Sequence, residues 1–232
     1  MKPRSPILTF AVAALALLTF AEPGLSRWLV YDREAILDGQ CWRLWSWVLC
    51  HFSVSHLCCD VIPLLVAGWL VETRRYAGYG GLWLFTPPLT GIVLFLSCPE
   101  MRYLGGLSSM TMATIALMAL HGIQARPPWR FVCLAVLGLL LGKLLLEVAS
   151  RTGLLAAAGE TAFEPVPASH AVGVLAACWS FATVMVCHSR ARARRHPDRM
   201  VAGRSFPNAC VPGRQDYFTT VASPAPPPPP SA

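Results

Sequence analysis

Charge is what this sequence has least of. Charged side chains make up 13% of its 232 residues, about half the roughly 25% of an ordinary soluble domain. Hydrophobic residues make up 55%, and the mean hydropathy is +0.51. That balance excludes a soluble globular domain and indicates an integral membrane protein. The chain also lacks the length for a membrane domain plus a large soluble enzyme. It has no Cys-x-x-Cys pair and no Cys/His spacing of a metal site, so neither metal nor cofactor is expected. Acids deep in the apolar segments are few, which argues against a small transporter with a histidine relay.

What is present follows from that absence. Six apolar stretches, about 6–22, 54–71, 80–98, 107–123, 130–149 and 167–188, approach the roughly 20 residues that cross a bilayer. The first resembles a signal peptide in its basic start, Lys2 and Arg4, but retention as a helix keeps both termini on one side. The fold class expected is therefore an all-α membrane protein, a six-transmembrane-helix bundle over 1–188. Residues 189–232 form a separate basic, then Pro-rich tail, which lacks the apolar mass for a core and is expected to be disordered.

The net charge of +7 does not point to nucleic acid, because the basic residues flank apolar segments. Lys2, Arg4, Arg74, Arg75, Arg126, Arg130, Arg190, Arg192, Arg194 and Arg195 share one side if the segments alternate. Arg27, Arg33, Arg43, Arg102 and Arg151 fall on the other. The positive-inside rule then puts both termini in the cytoplasm. The first external loop, about 23–53, carries Trp42, Trp45 and Trp47, as an interfacial segment would. Of nine cysteines, Cys58, Cys59, Cys133, Cys178 and Cys187 lie in or beside apolar segments and behave as small hydrophobes. Cys41 and Cys98 share the external side, and their pairing is left open.

Against this background a few polar residues stand out. Ser108 opens the fourth stretch and His170 lies one turn into the sixth, while His51, His56 and Asp60 mark the outer start of the second. These three stretches run in the same direction, so the groups lie within one or two turns of a common depth at 1.5 Å per residue. Ionisable groups are costly in hydrocarbon and point to function. A serine becomes a nucleophile when a base takes its proton, and a neutral imidazole suits that task. The backbone N–H groups of Ser108 and Ser109 at a helix start, with His56, could serve a developing oxyanion. The plainer readings are a helix N-cap for Ser108 and an interhelical hydrogen bond for His170. Gly173 and Ala177 make a small-residue face beside His170 that permits close helix approach. Lys143 and Glu147, four apart, read as a mutual ion pair.

At these residues the chain resembles the rhomboid family of intramembrane serine proteases. His51-Phe-Ser-Val-Ser-His56-Leu-Cys-Cys-Asp60 resembles the rhomboid pattern of two histidines five apart with an asparagine four further on. Gly106-Leu107-Ser108-Ser109 resembles Gly-x-Ser-Gly. Ser169-His170-Ala-Val-Gly173-Val-Leu-Ala-Ala177 resembles Ala-His-x-x-Gly-x-x-x-Gly. The stretch from Tyr31-Asp32-Arg33-Glu34 to Cys41-Trp42-Arg43-Leu44, and that from Lys143 to Glu147, are most similar to the rhombosortase branch. The resemblance implies Ser108 as nucleophile, His170 as base, and His56, Asp60 and His51 at or supporting the oxyanion site, with no third catalytic carboxylate. It implies a bacterial inner-membrane protease, and a transmembrane protein substrate cut at a C-terminal Gly-Gly sorting tail. Two departures stand against full activity: Ser109 replaces the motif glycine and Asp60 replaces the asparagine. An ionised carboxylate cannot donate to an oxyanion. A rhomboid-like protein that holds membrane clients without cutting them is the competing reading.

Overall fold

The computed structural model describes residues 5–150 and 167–195, and most of them are helical. Each of the six apolar stretches becomes a helix. These are α1 (Ile7–Ala21), α5 (Val54–Thr73), α6 (Tyr79–Ser97), α7 (Ser108–Gly122), α8 (Trp129–Ser150) and α9 (Pro167–Arg195). Four of them, α5, α6, α8 and α9, are long and apolar enough to cross a membrane. Helices α1 and α7 have only 15 residues each, about 22 Å of rise, so six full-length spans are more than these lengths provide. Helix α1 ends where Pro23 forces Glu22 into an extended conformation, and the chain turns by 112° into α2 (Pro23–Leu29). Counted as one broken span, α1 and α2 bring the number to five.

Helix α7 is also enclosed by its neighbours. Met110, Ala113, Ala116, Leu117 and Ala119 have no exposed surface, because α7 runs between α5, α6 and α8. Protein, not lipid, covers it. Thr111 Oγ1 donates to the backbone carbonyl of Asp60 at 3.0 Å and ties α7 to α5.

The expected alternation of direction is present. At one end of the bundle the Glu72 carboxylate, at the close of α5, accepts from the N–H groups of Leu8 and Thr9 at 3.2 and 2.7 Å. It thereby caps the uncapped start of α1. His121, at the end of α7, bonds the Ala77 carbonyl at 3.1 Å, and Arg74 stacks on Trp129 at 4.5 Å. The opposite end gathers the close of α6 and α8 with the starts of α5, α7 and α9.

The first connection is built rather than loose. Strand β1 (Tyr31–Asp32) pairs antiparallel with β2 (Tyr103–Leu104), Tyr31 opposite Leu104. Asp32 caps α3 (Arg33–Leu37) by accepting from Glu34 and Ala35. Arg43 opens α4 (Arg43–Ser46) and is buried. Its guanidinium donates to the carbonyls of Arg27 and Val30 at 3.0 and 2.7 Å and so closes the end of α2. Trp45 Nε1 donates to Leu84 O at 3.3 Å, the carbonyl that Pro88, lacking an N–H, leaves without its helical partner. Trp47, 1% exposed, donates to Pro87 O at 3.3 Å. Only Trp42 and Trp45 are exposed as interfacial side chains would be; Trp47 belongs to the core. Cys41 and Cys98 are both free thiols, so the pairing left open is not made. Helix α9 runs on to Arg195, so residues 189–195 of the expected tail are helical; Arg151 and residues 196–232 lie outside the described residues.

Candidate active site

The site is assembled around the turn from Gly106 to Ser109. Gly106 has φ +124°, a backbone that favours glycine. A Cβ there would stand 2.5 Å from His56 Nε2 and 3.2 Å from Asp60 Oδ2, so His56 and Asp60 press directly on this peptide. Leu107 then takes the N-cap position and Ser108 is the first helical residue. Ser108 is thus not an N-cap; its side chain, partly exposed, is spared that duty. No side chain caps α7, which leaves the first-turn N–H groups aimed out of the helix.

His51, His56 and Asp60 converge as one cluster. Asp60 Oδ2 lies 3.4 Å from His51 Nε2 and 3.3 Å from His56 Nε2. The helical spacing of His56 and Asp60 brings those two together, and Ser53 fixes the helix start by accepting from the His56 N–H. His51 reaches in from the preceding turn. Its Nδ1–H donates to Leu49 O at 3.3 Å, and its Nε2 faces the N–H of Leu107 at 3.4 Å.

His170 comes from the first turn of α9 and is 4% exposed. Three residues on, Gly173 packs on the carbonyl of Ser109. A Cβ at 173 would collide with that oxygen and stand 3.3 Å from the Ser109 Cα. The small-residue face thus brings α9 onto the first turn of α7, and His170 onto the helix crossing that holds Ser108. Among the described residues no hydrogen bond joins the two side chains. Catalytic contacts of this kind often tighten only around a substrate.

Sequence reasoning found Glu147 but missed its second partner, and the expectation of no third carboxylate at the dyad does not match the contact observed. Glu147 is 1% exposed. It holds the Lys143 ammonium, as its spacing predicts, and its Oε2 also lies 2.8 Å from His170 Nδ1. An ionised carboxylate only accepts, so Nδ1 carries the proton and Nε2 is left with its lone pair. Lys143 Nζ, 3.4 Å from Nδ1, is a second donor to the same carboxylate. The available signal was an acid in the last turn of an apolar helix, where, once buried, it must find partners. The spacing to Lys143 accounted for one partner and concealed the other.

Cys50 lies beneath the same turn and is fully buried. Burial pushes its thiol up to about 11, so it is protonated at neutral pH and is no rival nucleophile. A cleft of about 590 Å³ borders the cluster, lined in part by Phe20, Arg27, Asp32, His51, Phe52 and Tyr103.

Residues 38–186 match the rhomboid domain, a stretch that spans every residue of this site. The chain belongs to the rhomboid family. Rhomboids are intramembrane serine proteases that act on membrane proteins, and this rhomboid is accordingly an integral, multi-pass membrane protein with four or five candidate spans. No curated protein matches the chain.

Proposed function

We propose that this rhomboid is an active intramembrane serine endopeptidase, with Ser108 as nucleophile and His170 as general base. The observation that carries the reading is the buried Glu147–His170 hydrogen bond of 2.8 Å. It holds the imidazole in the tautomer that can accept a proton at Nε2, beside the crossing that carries Ser108. Nε2 takes the Ser108 hydroxyl proton as Oγ bonds to the scissile carbonyl carbon. The oxyanion so formed is met by the first-turn N–H groups of α7 and by His56. Its collapse breaks the C–N bond, and the departing amine takes the proton from His170. Water then repeats the sequence and frees the enzyme. Glu147 stays ionised and stabilises the imidazolium.

The resemblance over Tyr31–Leu44 supports a substrate with a C-terminal Gly-Gly sorting tail. The basic flanks support a six-helix domain over 1–188 with both termini in the cytoplasm, in a bacterial inner membrane, and a tail over 189–232. A second reading, a non-cleaving binder of membrane clients, is favoured by one observation: Asp60, an acceptor when ionised, presses on the Gly106 peptide.

The test is covalent labelling of the purified protein by a fluorophosphonate probe. Label is expected on Ser108 and lost in Ser108→Ala. Cleavage of a Gly-Gly-tailed substrate should vanish in Ser108→Ala and in His170→Ala, with the double variant no worse than either. Cleavage by Ser108→Ala would remove the assigned nucleophile, and failure of the wild type to label or cleave would favour the binder.

A further inference from the structure

We propose that His51, His56 and Asp60 form a binding site for a divalent transition-metal ion, zinc above all, and that zinc bound there turns cleavage down. The first half stands on geometry alone; the second rests on the protease reading above.

The spacing of the Asp60 oxygen from each imidazole fits the ion. Zinc binds nitrogen and oxygen at about 2.0–2.2 Å in a tetrahedron, which puts neighbouring ligand atoms about 3.3–3.6 Å apart. Asp60 Oδ2 is 3.4 Å from His51 Nε2 and 3.3 Å from His56 Nε2. All three donors lie within 4.8 Å of one another, so the two imidazoles need only a small approach to reach the tetrahedral edge. His51 is already turned as a ligand. Its Nδ1–H is engaged by the Leu49 carbonyl at 3.3 Å, the outer contact that metal-binding histidines characteristically make, and Nε2 is left with its lone pair. That nitrogen faces an Asp60 oxygen at 3.4 Å, a contact that either a proton on the imidazole or a cation between the two satisfies. A divalent cation there would replace that proton and be shared by both groups. The competing occupant is the Leu107 N–H, which reaches the same nitrogen only at 3.4 Å.

Three protein ligands leave a fourth position for water, the pattern of an exchangeable site rather than a closed structural one. The cleft lined by Arg27, Asp32 and Phe52 borders His51. Asp60 is the residue that turns the pattern toward metal. An asparagine in its place would offer a neutral amide, whereas aspartate offers an anionic oxygen. The substitution that weakens the oxyanion site as a donor set strengthens it as a ligand set. Zinc would engage His56 through Nε2 and so withdraw that nitrogen as a hydrogen-bond donor to the oxyanion.

The experiment uses the full chain in detergent micelles, stripped with a chelator and dialysed against micromolar zinc. One zinc per chain is expected, with affinity lowered at least tenfold by Asp60→Asn and by His51→Gln, and unchanged by His121→Gln or Cys58→Ser. Cobalt in place of zinc should give the visible absorption of a tetrahedral ion, absent in Asp60→Asn. The same micelles, probed with the fluorophosphonate, should label Ser108 more slowly with zinc, and chelator should restore the rate. Wild-type zinc affinity in Asp60→Asn, or no zinc bound at micromolar concentration, overturns the site. Unchanged or faster labelling with zinc bound overturns the inhibition. A chain that binds zinc but never labels defeats the protease reading and leaves the site standing.

Discussion

At the scale of single residues, the chemistry turns on how two carboxylates are held. Glu147 serves His170, and its charge is what keeps the proton on Nδ1. In Glu147→Gln the amide can orient to donate, reversing the tautomer and leaving Nε2 protonated. Cleavage should fall by about 10²–10⁴-fold, the scale of losing the correct tautomer in a serine hydrolase, while the amount of folded protein changes little. The measurement is kcat/KM on a tailed substrate; an unchanged value would reduce Glu147 to a partner of Lys143 alone. Asp60 acts the other way. Its ionised oxygen opposes the charge developing beside Gly106, whereas asparagine could donate through its amide. With chelator present, Asp60→Asn should raise the cleavage rate, because an ionised carboxylate cannot donate to the oxyanion. The gain has an upper scale of about 10²–10³, the worth of one oxyanion donor. Equal rates across pH 5–9 would remove Asp60 from the catalytic turn. Asp60 was legible as a departure in the sequence and its pairing with His56 or His51 as an alternative, His56 through the i,i+4 spacing; that it meets both at once was not, because His51 stands before the helix on a turn that no periodicity describes.

At the scale of elements, each helix is visible in its apolar run, while the way the helices meet is not. Gly173 is the hinge of the site, because its missing Cβ lets α9 lie on the Ser109 carbonyl. Gly173→Ala should push His170 away from Ser108. A displacement of about 1 Å is worth roughly 10²-fold in rate, so cleavage should fall by that order with the helices intact by circular dichroism. Full activity in Gly173→Ala would show that α9 can slide without loss. The β1–β2 pair was not anticipated, since two-residue strands have no alternating pattern to read. It matters because it sets the path from Tyr103 to Ser108. Proline chemistry was equally hidden. The carbonyl exposed by Pro88 acquires meaning only when Trp45 is found beside it.

At the scale of the whole molecule, alternation of the helices brings the starts of α5, α7 and α9 to one end, and with them every residue of the site. The opposite end is tied by Glu72 to Leu8 and Thr9. Reporter fusions after Glu72 and after Arg190 should both read cytoplasmic, and a fusion after Arg102 should read external. An external reading after Arg190 would invert the charge argument and put the catalytic end on the cytoplasmic face.

Hydropathy and periodicity are local properties, summed over neighbours along the chain. They were enough to identify a membrane protein, its helices, the alternation of their ends and the shared depth of Ser108, His170, His51, His56 and Asp60. Contacts between helices depend on rotation about each helix axis and on which surface is covered by protein. A linear pattern dominated by apolar residues on every side carries little of that information. Only the tertiary structure therefore decided that α7 is enclosed, that Trp47 is core while Trp42 and Trp45 are surface, and that Glu147 reaches past Lys143 to hold His170.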